Sequence, residues 1–268
     1  MITAWKWNEE FLPVNGGAMY GWFFWMWIGI LVLECVFWLP VAAKHDKKAT
    51  DRFVFLYGLI MLAAEIYKQI FFTVEAGEYQ WHLFPWQFCS VPMFASLIAP
   101  LIRNERIKNA IYEFLSFFGL IAGIMTVIIP EGFYWDYITV TCHSFFWHTS
   151  IVLIGLYLTV ANGYATKVRS FFREWLPAAA VYSASVGTAL ALNVVWWFLL
   201  GREDPEKTFN MFYVSPFYNS SLPVFRDVQP VVPYPVFLLF YVFAFCAGAS
   251  LIWFGILAVR KLFRKRQK

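Results

Sequence analysis

Charge is scarce in this chain of 268 residues: 14% of positions are charged, against 60% that are hydrophobic. That balance excludes a soluble domain beside the apolar runs and leaves one membrane domain over 1–268. The net charge of +4 sits at run ends and in the tail, not on a polar face. A nucleic-acid partner is therefore excluded. No basic segment precedes the first apolar run, which follows acids and aromatics and is too long for an h-region. No cleavable signal peptide is expected. Cysteine is confined to positions 35, 89, 142 and 246, with no CxxC pair. Neither a metal site nor a redox motif is expected, and no cofactor. The last apolar run holds no lysine, which excludes a retinal Schiff base.

What the chain does have is seven apolar runs, at 19–43, 53–74, 84–102, 109–130, 138–161, 175–200 and 235–259. A hydrocarbon core ~30 Å thick needs about 20 apolar helical residues to cross it. The expected fold is an all-α bundle of seven transmembrane helices in a cell membrane. Lys and Arg gather in every second connection: Lys44 to Arg52, Arg103 to Lys108, Lys167 to Arg173, and the tail from Arg260. The other connections hold most of the loop acids, such as Glu75, Glu78, Asp204 and Glu206. The positive-inside bias places the N-terminus outside and the C-terminus in the cytoplasm. The basic tail should meet anionic headgroups among the membrane lipids. Tryptophans at the outer borders, Trp22, Trp25, Trp81, Trp86 and Trp196 among them, suit an interfacial belt. The stretch 201–234, rich in Pro, Tyr, Phe and Asn, predicts an ordered outer cap. Small residues four apart, such as Gly119 and Gly123, Ser183 and Gly187, Ala244 and Gly248, predict helix-packing faces.

Ionisable groups inside a bilayer are costly, so each asks for a reason. Glu65, Lys68 and Gln69 share a helix face at i, i+3 and i+4, and the first two can pair. Gln87, Cys89 and Ser90 open the third run. Thr141, Ser144 and His148 stack on one face of the fifth, and Asn193 comes late in the sixth. His143 lies about 140° around the helix from His148, so the two cannot share a wall. Run direction puts all these groups in the outer half of the membrane. They predict a polar chamber beneath the cap, with Glu65, Lys68, Gln69, Gln87, Ser144 and Asn193 as binding residues. Interhelical hydrogen-bond glue is the plainer expectation. Cys89 and Cys142 both lie toward the outer side, where a disulfide between them is a further possibility.

Cysteine plus histidine is the minimum for nucleophilic acyl transfer: the histidine takes the thiol proton and the thiolate attacks an ester carbonyl. Cys89 and His148 stand at matching depth on different helices. The segment Pro85-Trp86-Gln87-Phe88-Cys89-Ser90 resembles the Pro-Leu-(His or Gln)-Leu-Cys motif of the YwaF family of bacterial integral membrane proteins. His148 followed by Ile151 to Leu158 resembles that family's aromatic-x-x-His-x-x-Ile segment, and Asn193 fits its late asparagine. The family is similar to the eukaryotic transmembrane protein 164 group, whose members are described as acyltransferases of ether phospholipids. The resemblance implies a lipid acyltransferase with Cys89 as nucleophile and His148 as base. The rival expectation is a membrane protein without chemistry, binding or transporting a lipid headgroup or a small polar solute.

Overall fold

In the computed structural model, which describes residues 19–266, the chain is helical without strands among those residues. Six helices are long and apolar enough to cross a membrane: α1 (Trp22–Ala42), α2 (Lys47–Ala76), α4 (Glu105–Ile128), α5 (Ile138–Ala161), α6 (Val168–Gly201) and α7 (Tyr234–Phe263). A shorter helix, α3 (Val91–Leu101), lies between α2 and α4. Local signals set the boundaries. The Asp46 carboxylate accepts the Ala49 N–H at 2.7 Å to open α2, and Gly77 closes it at φ +77°, a left-handed cap that suits glycine. Asn104 accepts from the N–H groups of Arg106 and Ile107 at the start of α4. α1 buries only Phe23, Phe24 and Ala42 and leaves Trp22, Trp25, Leu33, Val36 and Phe37 exposed. A helix apolar on all sides with so much exposed hydrocarbon belongs in lipid.

The third apolar run does not form the continuous span expected over 84–102. Residues 84–90 are irregular, and α3 has a length of about 16 Å, short of a bilayer core. Three prolines explain this. Pro85 falls in the irregular part, Pro92 sits in the first turn of α3 where its missing N–H is harmless, and Pro100 lies in the final 3₁₀ turn. The chain still travels the length of α2. Gln69 donates to the Leu83 carbonyl at 2.8 Å, Gly58 abuts Leu97, and Lys108 pairs with Asp51 at 2.7 Å. Segment 83–108 thus runs antiparallel to α2, half as loop and half as helix. The expected seven continuous helices become six plus one broken traverse.

The contacts sort the molecule into two ends. At one, Lys108 and Tyr112 both donate to Asp51, His45 meets Tyr157, and Arg260 donates to the Thr159 carbonyl. The buried Glu174, which no sequence pattern marks, accepts there from the Ala165 N–H and the Trp253 indole. At the other end, Tyr20 donates to the Ile128 carbonyl, Tyr134 to that of Met19, and Tyr137 to Glu75. Between them lies an aromatic core in which Tyr182 stacks on Phe118. The small-residue expectation holds in places. A Cβ on Gly123 would fall 2.8 Å from Val152 of α5, and one on Gly248 would strike Ile121 of α4. Gly187 has nothing within 4 Å of its Cβ position among the described residues, so it marks no packing face there. Gly155 does: its Cβ would lie 3.0 Å from the Leu115 carbonyl, where α4 widens into a π turn over Leu115–Gly119. The N-terminal residues 1–18 and the side chains of the basic tail beyond Phe263 lie outside the described residues.

Candidate functional site

The polar residues of α2 close on one another. Glu65 is 3% exposed; its Oε1 accepts from Lys68 Nζ at 2.8 Å and from Gln69 Nε2 at 2.6 Å. Its Oε2 is buried with no partner among the described residues. The i, i+3, i+4 spacing puts all three groups on one helix face, as expected. Lys68 also lies over the Trp147 ring, 5.9 Å from its centroid, a cation–π contact shielded from water. Trp147 joins two segments: its indole N–H donates to the Cys89 carbonyl at 2.9 Å and its ring stacks on His143 of the same helix. Lys68 and Glu65 are within electrostatic reach of the Cys89 thiol. Trp147 was not foreseen as a site residue. The available signal was that a buried indole N–H needs an acceptor.

His148 lies elsewhere on α5. Its ring stacks on Phe133 at 4.5 Å, its carbonyl faces Gly123 of α4, and its Nδ1 meets the Ser144 carbonyl at 2.8 Å. No hydrogen bond joins Cys89 to His148 among the described residues. The angular separation of the two histidines appears as expected: His143 packs toward Tyr67 of α2 and His148 toward Phe133. His143 Nε2 is buried without a hydrogen-bond partner among the described residues. The Ser144 hydroxyl accepts the Trp135 indole N–H at 3.1 Å, and the Thr141 hydroxyl accepts that residue's backbone N–H. These two groups fasten the loop before α5. All four cysteines are free, so the Cys89–Cys142 disulfide is not formed.

Gln87 and Asn193 hold the cap. Asn193 donates to the Met211 carbonyl at 2.9 Å and accepts its N–H at 2.7 Å; Gln87 donates to the Asn210 carbonyl at 3.0 Å and accepts the Phe212 N–H at 2.8 Å. Two primary amides, one before α3 and one late in α6, thus complete the hydrogen bonds of one buried loop. The cap is ordered within itself as well. Gln229 bonds the backbone at Ser215, Tyr218 and Ser220, and Tyr234 donates to the Val214 carbonyl. Met211, Phe212 and Val214 are fully buried, so the cap supplies part of the core. Trp86 and Trp196 turn inward with their indole nitrogens buried, while Trp22 and Trp25 face outward. The expected belt is therefore partly a cap foundation.

Beside the cap a cavity of about 430 Å³ opens between residues 78–82 and 204–208. Its wall includes Glu78, Tyr79, Trp81, His82, Asp204 and Lys207, and none of the residues expected to line a common chamber. Asp204 and Lys207 pair at 3.0 Å, and that contact holds the Asp204 carboxyl below its usual range. Two wall residues sense the buried cluster. Burial, then the Glu65 charge, raises the Tyr79 phenol; burial, then the Lys68 ammonium, lowers His82.

The model of one protein family, the TMEM164 family, matches residues 19–253. No curated protein and no solved structure matches the chain.

Proposed function

Since this multi-pass membrane chain belongs to the TMEM164 family, we propose that it transfers acyl chains between membrane lipids, with Cys89 as the nucleophile. The observation that carries this reading is the setting of one thiol. Cys89 alone of the four cysteines has both Lys68 and Glu65 within electrostatic reach, and its backbone is fastened by Trp147, the neighbour of His148. Of that pair the Lys68 ammonium favours the thiolate that acyl transfer needs, while burial and the Glu65 carboxylate oppose it.

In the proposed reaction His148 takes the Cys89 proton. The thiolate adds to the ester carbonyl of a donor lipid, and the carbon–oxygen bond breaks. The released alcohol oxygen recovers the proton, and an acyl-cysteine thioester remains. A hydroxyl of an acceptor lipid then attacks the thioester, gives its proton to the histidine and restores the thiol. The contact of His148 Nδ1 with the Ser144 carbonyl suits this role, because it leaves Nε2 as the unprotonated nitrogen. Glu65, Lys68 and Gln69 supply the polar floor for a headgroup; Gln87, Asn193 and Ser144 act through the loops they hold. The chain sits in the cell membrane with the cap outside, the basic end in the cytoplasm and the tail on anionic headgroups. The broken third segment counts as a seventh crossing.

One observation favours a different base. His143, whose Nε2 is buried without a partner among the described residues, stacks on the Trp147 ring that holds Cys89. Lipid mass spectrometry of cells expressing wild type, Cys89→Ala, His148→Ala and His143→Ala separates the possibilities. Loss of acyl redistribution in Cys89→Ala, and a fall of about 10²–10⁴-fold in the variant lacking the base, is the expected result. Lipid profiles unchanged by Cys89→Ala would leave a protein that binds or transports a polar group without chemistry.

A further inference from the structure

The cavity beside the cap plays no part in the reaction proposed above. Its two walls come from separate parts of the chain: residues 78–82 follow the glycine that closes α2, and residues 204–208 follow α6. At about 430 Å³ it falls within the size range of small-molecule sites, about 300–1,000 Å³. Its charge is negative. Asp204 and Lys207 belong to one wall and satisfy each other at 3.0 Å. That leaves the carboxylates of Glu78 on one wall and Glu206 on the other. Both residues are exposed, and neither forms an ion pair among the described residues. The wall also carries aromatic rings held in place. Tyr79 meets Trp81 edge-on at 4.9 Å, and Trp81 is backed at 4.7 Å by Trp196, which stacks on Phe209 of the cap.

Acids and aromatic rings around an open space recognise a cation, and the spread of the acids sets its size. No three acidic, histidine or cysteine side chains gather closely enough among the described residues to hold a metal ion. A primary ammonium is strongly hydrated and asks for hydrogen-bond acceptors. A quaternary ammonium donates no hydrogen bond. It takes its affinity from aromatic faces, tryptophan best, and from carboxylates at longer range. We propose that this cavity is a binding site for a quaternary ammonium group of the choline type, held against the Trp81 and Tyr79 rings, with Glu78 and Glu206 supplying counter-charge from opposite walls. Such a site is independent of chemistry at Cys89. Two sources carry this group: the headgroup of a choline phospholipid and a free solute. Both can reach a cavity whose rim is exposed at Glu78, His82 and Glu206 and whose wall runs on to Leu83, bonded to Gln69 of α2.

The test uses the purified full chain and two probes. Radiolabelled choline is bound to protein in phosphatidylglycerol vesicles, with tetramethylammonium chloride or sodium chloride at equal ionic strength as competitor. Native mass spectrometry in detergent then counts the lipids retained from an equimolar mixture of phosphatidylcholine and phosphatidylglycerol. Glu78→Gln/Glu206→Gln removes the counter-charge from exposed positions, and Trp81→Leu removes the ring. Each should weaken binding by about tenfold, while Glu203→Gln, an acid outside the cavity wall, should leave it within about twofold of wild type. Choline binding alone, displaced by tetramethylammonium and not by sodium, identifies a solute site. Selective retention of phosphatidylcholine, with or without choline binding, identifies a headgroup site. Neither signal in the wild type would overturn the proposal. So would a signal that survives undiminished in the double carboxylate variant, or choline binding that sodium displaces equally well. Because Trp81 supports Trp196, a Trp81→Leu protein that fails to fold leaves the decision with the double variant.

Discussion

Glu65 is the side chain on which the buried electrostatics of α2 turn. One of its oxygens answers both Lys68 and Gln69, and the other is buried without a partner among the described residues. Removing it strands an ammonium in low dielectric, and breaking such a pair costs about 3–5 kcal/mol. Removing both charges leaves no uncompensated ion, so the double change should be milder than the single one. The expected order of folded yield in detergent, read by fluorescence-detected size exclusion, is wild type, then Glu65→Ala/Lys68→Ala, then Glu65→Ala. Equal yields for the single and double variants would show that the two side chains do not act as a unit. Lys68→Ala should fall between them if Gln69 satisfies part of the freed carboxylate. The pairing was legible from the sequence, because i, i+3 spacing puts two side chains on one face. The Leu83 carbonyl and the Trp147 ring were not, since neither is a helix neighbour.

The cap is the element that most depends on distant residues. Asn193→Ala would leave the buried Met211 N–H unpaired, at about 1–3 kcal/mol, and its carbonyl with the Val214 N–H alone. The turn it restrains, with φ of +56° at Phe212 and Tyr213, stores about 1–2 kcal/mol per left-handed residue, so a released cap should rearrange. Limited proteolysis should show new cleavage within 201–234 for Asn193→Ala and for Gln87→Ala, with lower melting temperatures. The double variant should lose less than the sum, because both amides hold one loop. A protease-resistant cap in both single variants would mean that its internal Gln229 bonds suffice. Composition alone predicted an ordered cap. It could not say that Gln87 and Asn193 were its clasps, because their partners lie 125 and 18 residues away. The same limit applies to His148. Its angle from His143 follows from helical geometry, but which wall faces Cys89 depends on the rotation of α5. That helix is apolar and buried on most sides, so no polar stripe fixes its rotation. The third run shows a different limit: apolar length measured the distance to be covered, while three prolines decided that half would be covered without helix.

At the scale of the whole molecule, orientation depends on whether the broken third segment counts as a crossing. Six crossings would place α4 and everything after it the other way round, and the basic clusters would no longer share a side. The contacts oppose that arrangement. Lys108 at the start of α4 pairs with Asp51 at the start of α2, and Lys47 meets Glu105 across the same gap. Leu83, by contrast, is met by Gln69 near the far end of α2. The chain has therefore returned to the first end by residue 108. The clusters at 44–52, 103–108, 167–173 and 260–261 then gather at one end, while the acids Glu75, Glu78, Asp204 and Glu206 lie at the other. The positive-inside bias predicts that the basic end faces the cytoplasm. A reporter active only in the cytoplasm, fused after Lys268, should give signal, and the same reporter inserted at Arg226 in the cap should give none. The pairing matters, because each orientation allows a distinct pattern. Signal from the cap insertion alone would mean either that the molecule is inverted or that segment 83–108 fails to cross in the bilayer, against the antiparallel course its contacts describe. Signal from both positions would mean that α7, the helix between them, fails to cross.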